Sequence, residues 1–178
     1  VISLQNERII QRHIYSVVFA AFMRFAKKEH GLEFRSVQDF FFDNELLQSA
    51  PVEMFKDFIE THPEEIRTSL LRIVPSSLHA ILGVDNWKWV GKLFNRDETK
   101  NVGNYVLDRA DENVKSDIRD IDLQKEKVIE KINLDKNNTS LPQQLSRLNR
   151  TLNTLQSKRL LDALSTHGVL PKYGFPVD

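Results

Sequence analysis

The sequence has no cysteine in its 178 residues, and this absence excludes a disulfide framework and any thiolate metal site within the chain. Histidine is present but scattered, at His13, His30, His62, His79 and His167. No two of these residues form a His-x-x-x-His pair or an HExxH motif, the spacings that place two imidazoles on one zinc ion. We therefore expect no metal site in this chain.

Net charge is absent as well, because 25 basic residues balance 25 acidic residues. A domain dedicated to binding a polyanion is normally strongly basic, so the composition is atypical of one, although it allows local basic patches. Hydrophobic residues make up 40% of the chain and charged residues 28%. These proportions are typical of an ordinary globular protein.

A long apolar run is also lacking. The most apolar stretch is "IYSVVFAAFMRFA", residues 14–26, and Arg24 interrupts it. A membrane-spanning helix needs about 20 predominantly apolar residues, and no small-residue cleavage site of a signal peptide follows this stretch. The stretch therefore predicts a buried helix, and we expect a cytoplasmic protein with no membrane partner.

Helical signals dominate the first half of the sequence. Residues 3–30 contain neither Pro nor Gly, and Gly31 follows them as a helix stop. Shorter helices are predicted after Ser36, whose capping partner is Asp39, and after the prolines at 51, 63 and 75. Most of the Phe and Trp residues lie in this half, so we place the main core here, against the first helix.

The last third changes character. Between positions 97 and 135, charges of both signs alternate, and apolar residues recur three or four positions apart, which predicts a long helix. A polar turn, "DKNNTS", precedes a second helix, for which Ser140 and Gln143 suggest a capping box. A heptad seam runs along that helix through Leu141, Leu145, Leu148, Leu152 and Leu155.

Two long helices joined by a short turn are expected to pair antiparallel. The sequence therefore predicts an all-α fold: a helical body over residues 1–96, an antiparallel coiled-coil-like helical hairpin over 97–166, and a junction loop over 167–178.

Motifs for catalysis are missing. "VGKLF" contains Gly91 and Lys92, but Leu93 stands where a phosphate-binding loop needs Ser or Thr, and no Gly-rich turn precedes it. We interpret Gly91 as a small residue packed tightly in a helix. The dense carboxylates of 97–135 are best explained as solvated helix faces. No catalytic residue is predicted, and an independent small enzyme would need converging polar groups that the sequence does not indicate.

Two features are suited to nucleic acid. Basic residues on the final helix can share a face opposite the leucine seam and contact phosphates in a salt-dependent way; they are Arg147, Arg150, Lys158 and Arg159. A solvated coiled-coil flank explains the same residues. Trp87 and Trp89 can stack on unpaired bases, or one of them can belong to the core.

The two ends of the sequence carry a resemblance. Near the start, "ISLQNERIIQRHIYSVVFAAF" contains Asn6, Glu7, Arg12 and His13, and the chain closes on "GVLPKYGFPVD". Both segments resemble large bacterial DEAD/DEAH-box-like superfamily 2 helicases, a group that includes helicases of DISARM phage defence and, more distantly, the mitomycin-repair type. In the closing segment the matching residues are Leu170, Pro171, Tyr173, Gly174, Phe175, Pro176 and Asp178.

This resemblance implies a position between the second RecA-like motor lobe and a four-cysteine zinc domain of a larger protein. ATP and Mg²⁺ would then be bound by the motor and zinc by the following domain, with no cofactor in this segment. DNA and the two neighbouring domains are the implied partners. The candidate DNA contacts are Arg12, His13, Arg147, Arg150 and Arg159, and the candidate junction anchors are Leu170, Pro171, Tyr173, Phe175 and Pro176.

Two functions remain open at this point. The first is a helical accessory region that braces a helicase motor, with the hairpin guiding a DNA strand. The second is a coiled-coil module that recruits a protein partner or associates with itself. The second function predicts that leucines stay exposed after the hairpin has closed.

Overall fold

The computed structural model describes residues 4–172, and the side chains from Asn6 onward. Within that range the fold is all-α, as predicted, and no β-strand is present. The first helix, α1, runs over Leu4–His30. It ends where predicted, because Gly31 adopts a φ of 64°, in the left-handed region that glycine enters at little cost.

Short helices follow α1 and wrap around it. They are α2 (Val37–Phe41), α3 (Pro51–Glu60), α4 (Glu64–Ile73), α5 (His79–Leu82) and α6 (Val90–Leu93). The predicted capping box at the start of α2 is confirmed: the Asp39 amide donates to Ser36 Oγ over 3.1 Å, and the Ser36 amide donates to Asp39 Oδ2 over 3.0 Å.

Aromatic rings form the centre of the core. Phe19 of α1 stacks on Phe55 of α3 with a centroid distance of 4.3 Å, and Phe22 meets the same Phe55 ring edge-on at 5.2 Å. All three side chains are fully buried. Stacked and edge-to-face pairs of this kind add to the free energy gained from burial alone, so they hold α1 and α3 together.

The last third of the chain supplies α7 (Val106–Leu134), α8 (Ser140–Ser157) and α9 (Leu160–Thr166). Helices α7 and α8 pair antiparallel: close to their connecting turn Val128 and Leu148 line one groove, and further from the turn Ile118 and Leu155 line another. Of the predicted seam, Leu141 is buried and the other four leucines are half-buried.

Helix α7 begins later than the sequence pattern predicts. Side chains of the preceding segment bond to its own backbone, which favours turns over helix. Asp97 Oδ1 accepts the Thr99 amide over 3.0 Å, and Asn101 Oδ1 accepts the Gly103 amide over 2.9 Å. The helix starts only after these turns.

The final helix predicted from the sequence is two helices, because α8 ends at Ser157 and α9 begins at Leu160. Between them, the Lys158 carbonyl accepts the Val37 amide over 2.9 Å, and the Leu160 amide donates to the Arg35 carbonyl over 2.9 Å. Leu160 and Leu164 of α9 are buried in the same hydrophobic core as Phe19. The division at positions 96 and 166 into body and hairpin stays a prediction.

Two local predictions are wrong. The residue before α8 is Thr139, with no side-chain cap, and Ser140 instead donates from its amide and hydroxyl to Asn138 Oδ1 over 3.0 and 2.7 Å. Gly91 is exposed, and a Cβ added to it would meet nothing within 4 Å, so Gly91 is not tightly packed.

The predicted junction is described only in part. Leu170 is fully buried, and the Pro171 carbonyl accepts the Ser165 hydroxyl over 2.8 Å. The other proposed anchors, Tyr173, Phe175 and Pro176, lie outside the described residues. Along residues 4–172, none of the helices combines the length and apolarity that a bilayer crossing requires.

Candidate nucleic-acid interface

One face of α1 carries a row of polar side chains near its start. Arg8, Gln11, Arg12 and Tyr15 are spaced by three, one and three residues, and this spacing places them on the same side of a helix. Arg8 is exposed, Arg12 is half-buried and Tyr15 is buried. The row therefore runs from solvent down to the core.

The first turn of α7 and the loop after α9 complete a cavity of about 220 Å³ over this row. We call it the basic pocket; it is lined by Arg8, Gln11, Arg12, Tyr15, Val106, Arg109 and Gly168. Gly168 has a φ of 79°, and a Cβ added there would lie 3.9 Å from Nη2 of both Arg12 and Arg109. Two guanidinium groups thus converge on one point.

No described residue places a counter-charge against the positive charge of the basic pocket. No carboxylate lines it, and within residues 4–172 Arg8, Arg12 and Arg109 form no ion pair. Arginines elsewhere do pair, as in the 2.7 Å contact between Arg24 and Glu65. The start of α7 has no side-chain cap, and the partial positive charge of a helix N-terminus adds to the same field.

Tyr15 is the most deeply buried of the described residues that line the basic pocket. Tyr15 is 1% exposed, and its hydroxyl has no hydrogen-bond partner among the residues that the structure describes. Burial raises the pKa of Tyr15 far above its ordinary value, so the hydroxyl keeps its proton at neutral pH. A buried polar group without a partner costs about 1–3 kcal/mol, a cost that a ligand oxygen can remove.

A second basic surface lies on the hairpin. A groove of about 350 Å³ between α7 and α8 is lined by Gln124, Lys127, Val128, Lys131, Gln144, Arg147, Leu148 and Thr151. We call it the basic groove. The described residues that line it include three exposed cations, Lys127, Lys131 and Arg147, and no carboxylate.

Helix geometry relates the two surfaces. Arg109 and Lys127 are 18 residues apart on α7, which is five turns of 3.6 residues, so both side chains leave the helix in nearly the same direction, about 27 Å apart along the axis. Asp120 lies between them on that side. The basic pocket and the basic groove therefore flank one continuous side of α7.

Of the residues predicted to contact DNA, one lines each basic surface. Arg12 lines the basic pocket and Arg147 the basic groove. His13 is exposed and lines neither, and its carbonyl accepts the Ser16 hydroxyl over 2.7 Å. Arg150 is exposed on α8 outside the groove, and its carbonyl accepts the Thr154 hydroxyl over 3.0 Å.

The prediction that Arg159 lies on the same helix as Arg147 is wrong. Arg159 precedes α9, because its neighbours are bonded to the loop before α2. Four cations were missed: Arg8, Lys127, Lys131 and Arg109. The four-residue spacing of Arg8 and Arg12 was a usable signal. Arg109 gave no such signal, because charged residues of both signs surround it in the sequence of α7.

The tryptophans are not free stacking platforms. Trp89 is 4% exposed, in agreement with the core interpretation. Trp87 stacks on the His62 ring with a centroid distance of 4.5 Å and an interplanar angle of 4°. Both residues of this pair have positive φ, 64° for Trp87 and 53° for His62. The two rings therefore stack on each other from left-handed backbone positions, and the His62 ring covers one face of Trp87.

A larger polar cavity, about 440 Å³, lies on the other flank of α7. Two ion pairs line it: Lys56 lies 3.0 Å from Asp108, and Lys115 lies 2.9 Å from Asp111. Burial raises the pKa of Asp111, against the effect of Lys115. Six acidic and four basic residues line this cavity among the described residues, so it is less suited to an anionic ligand than the basic pocket.

No family model, no curated protein and no solved structure matches this chain. Among residues 4–172, no group of three or more His, Cys, Asp or Glu side chains is placed to hold a metal ion. The functional proposal accordingly depends on the geometry and charge of the basic pocket and the basic groove.

Proposed function

We propose that this chain is a non-catalytic helical accessory region of a large ATP-dependent DNA helicase or translocase, and that it contacts the DNA backbone. The observation that carries the proposal is the basic pocket, in which Arg12 and Arg109 converge without a neutralising carboxylate. Unpaired guanidinium groups favour phosphate, because their planar donors match its oxygens.

The spacing of the two basic surfaces suits a polyanion. Duplex DNA carries one charge per roughly 1.7 Å of its axis, so about 27 Å along α7 corresponds to roughly eight base pairs. The exposed cations of the two basic surfaces are Lys and Arg side chains on the helices α1, α7 and α8. Contacts to phosphates position a protein without selecting a sequence, as a motor that moves along DNA requires.

The rest of the proposal follows the resemblance to superfamily 2 helicases. ATP and Mg²⁺ belong to the motor, and zinc belongs to the domain after the junction, so this region contributes no catalytic residue. Its body braces these neighbours. Leu170, which is fully buried, and Pro171 fix the start of the junction to the core.

Fluorescence anisotropy with single-stranded and duplex DNA of mixed sequence, at low and moderate salt, tests this proposal. We expect salt-dependent binding that Arg12→Glu and Arg147→Glu each weaken, with a log–log salt slope reduced by about one per lost phosphate contact. Arg72→Glu is the matched control, because Arg72 is exposed on α4 away from both surfaces. Binding that is unaffected by both reversals, or equally affected by the control, contradicts the proposal.

A second candidate function is a coiled-coil module that binds a protein partner. Leu123 and Leu134 support it, because they remain 54% and 88% exposed on α7 although α8 has paired with that helix. Sedimentation analysis tests self-association: a concentration-dependent dimer that Leu123→Ser and Leu134→Ser abolish favours this function. A monomer at all concentrations, with no co-purifying partner, counts against it.

A further inference from the structure

We infer that the basic pocket binds the terminal phosphate of a nucleic-acid strand, a phosphomonoester at a 5′ or 3′ end, in preference to an internal phosphodiester. The inference rests on the proposed function and specifies that the basic pocket binds the end of the strand.

The first argument is the shape of the basic pocket. The most buried of its described lining residues is Tyr15, which is 1% exposed and packs against Trp89 at a centroid distance of 6.5 Å. At about 220 Å³ the pocket is smaller than the roughly 300–1,000 Å³ of small-molecule sites. An internal phosphate has two ester-linked chains that must both leave the cavity. A terminal phosphate has one, so it can enter a cavity with a closed inner wall.

The second argument is charge. A phosphomonoester carries about −1.5 to −2 at neutral pH, whereas an internal phosphodiester carries a single negative charge. Three arginines, Arg8, Arg12 and Arg109, line the cavity together with the uncapped start of α7. This excess of positive charge is better matched by the doubly charged group.

The third argument is the unpaired donor. Among the described residues that line the basic pocket, Tyr15 is the only one with a hydroxyl, and that hydroxyl has no hydrogen-bond partner within residues 4–172. A terminal phosphate presents three acceptor oxygens that are free of ester bonds. One of them can accept from Tyr15 while the others accept from Arg12 and Arg109, whereas an internal phosphate has only two such oxygens for the same donors.

Competition among three strands of one sequence tests the inference. One strand has a 5′-phosphate, one a 3′-phosphate and one hydroxyls at both ends, each with an internal fluorophore. We expect one phosphorylated strand to bind the full chain about tenfold more tightly than the unphosphorylated strand, the size of a charged hydrogen bond gained. Inorganic phosphate at millimolar concentration should compete with that preference and leave the unphosphorylated strand bound.

Two variants assign the preference to the basic pocket. Tyr15→Phe removes a buried hydroxyl that has no partner among the described residues, so the thermal unfolding temperature should stay the same or rise, while the preference for the phosphorylated end falls about threefold or more. Arg109→Gln should remove the preference, and Arg72→Gln, an exposed arginine outside the pocket, should leave it intact.

The outcomes separate the two proposals. Equal affinity for all three strands overturns the terminal-phosphate inference and leaves the proposed function standing. A preference that survives both Tyr15→Phe and Arg109→Gln also overturns it, because another site is then responsible. If no strand binds at any salt concentration, the proposed function fails and the inference fails with it.

Discussion

The ammonium group of Lys56 lies 3.0 Å from the carboxylate of Asp108, and both side chains are 8% exposed. Lys56 comes from α3 and Asp108 from the first turn of α7, so this buried ion pair ties the base of the hairpin to the aromatic core. The second carboxylate oxygen of Asp108 accepts the Asn95 amide over 2.8 Å. The pair is thus satisfied by direct contacts on both sides.

Removing one partner of this ion pair should be costly. Lys56→Met leaves Asp108 buried without its counter-charge, and we expect the free energy of unfolding to fall by about 3 kcal/mol or more. The double variant Lys56→Met/Asp108→Asn, which buries no charge, should recover much of that loss. Urea unfolding measures both variants, and a double variant as unstable as the single one contradicts this account.

His167 should make the stability of the fold depend on pH. Burial lowers the pKa of His167 below its ordinary value of 6.5, with smaller contributions from the positive charges of Lys158 and Arg109, while Asp117 opposes them. Below about pH 6.5 the unfolded chain therefore binds a proton that the folded chain does not, and the free energy of unfolding falls as the pH falls.

Urea unfolding at pH 7.5, 6.5 and 5.5 tests the effect of His167. We expect His167→Gln to reduce the loss of stability between pH 6.5 and 5.5. The matched control is His30→Gln, at an exposed position in the last turn of α1. This variant should lose as much stability between pH 6.5 and 5.5 as the unsubstituted protein does. An unchanged pH dependence in the His167 variant contradicts the prediction.

Asp120 should weaken DNA binding, because it is an exposed carboxylate between Arg109 and Lys127 on one side of α7. Asp120→Lys is expected to increase affinity roughly threefold or more and to steepen the salt slope by about one phosphate contact. Asp122→Lys makes the same charge change at an exposed site on roughly the opposite side of the helix. A comparable gain from both variants indicates a non-specific charge effect and contradicts the proposed face.

Two glycines should respond in opposite ways to alanine. At Gly83, φ is 70°, and a Cβ would lie 2.6 Å from the Lys88 Cβ and 3.1 Å from the Trp89 amide nitrogen. Gly83→Ala should therefore lower the free energy of unfolding by about 2 kcal/mol or more. Gly91 lies in α6 with nothing within 4 Å of an added Cβ, so Gly91→Ala should raise it by about 0.5–1 kcal/mol. Thermal unfolding of both variants checks the contrast.

The parts of the fold that the sequence predicts well are those decided by neighbouring residues. Helix α1 and its stop at Gly31 follow from a run without Pro or Gly and from the φ of glycine. The Ser36–Asp39 capping box is equally local. Where side chains compete for the backbone, as Asp97 and Asn101 do, the apolar spacing alone places the start of α7 too early.

The candidate site is only half predictable for the same reason. Arg8 and Arg12 are one helical turn apart, so the sequence already places them together. Arg109 and Gly168 join them only because α7 and the loop after α9 pack against α1. The unpaired hydroxyl of Tyr15 has no signature in the sequence, because the lack of a partner depends on every residue around it.

By itself, the sequence determined the all-α class and the long first helix, because hydrophobic periodicity and helix stops act over a few residues. Only the tertiary structure decided where α8 ends, since backbone bonds from the loop before α2 hold Lys158 and Leu160 in place. It also decided which arginines converge. Contacts between distant segments depend on how amphipathic faces pack together, and local patterns do not specify that packing.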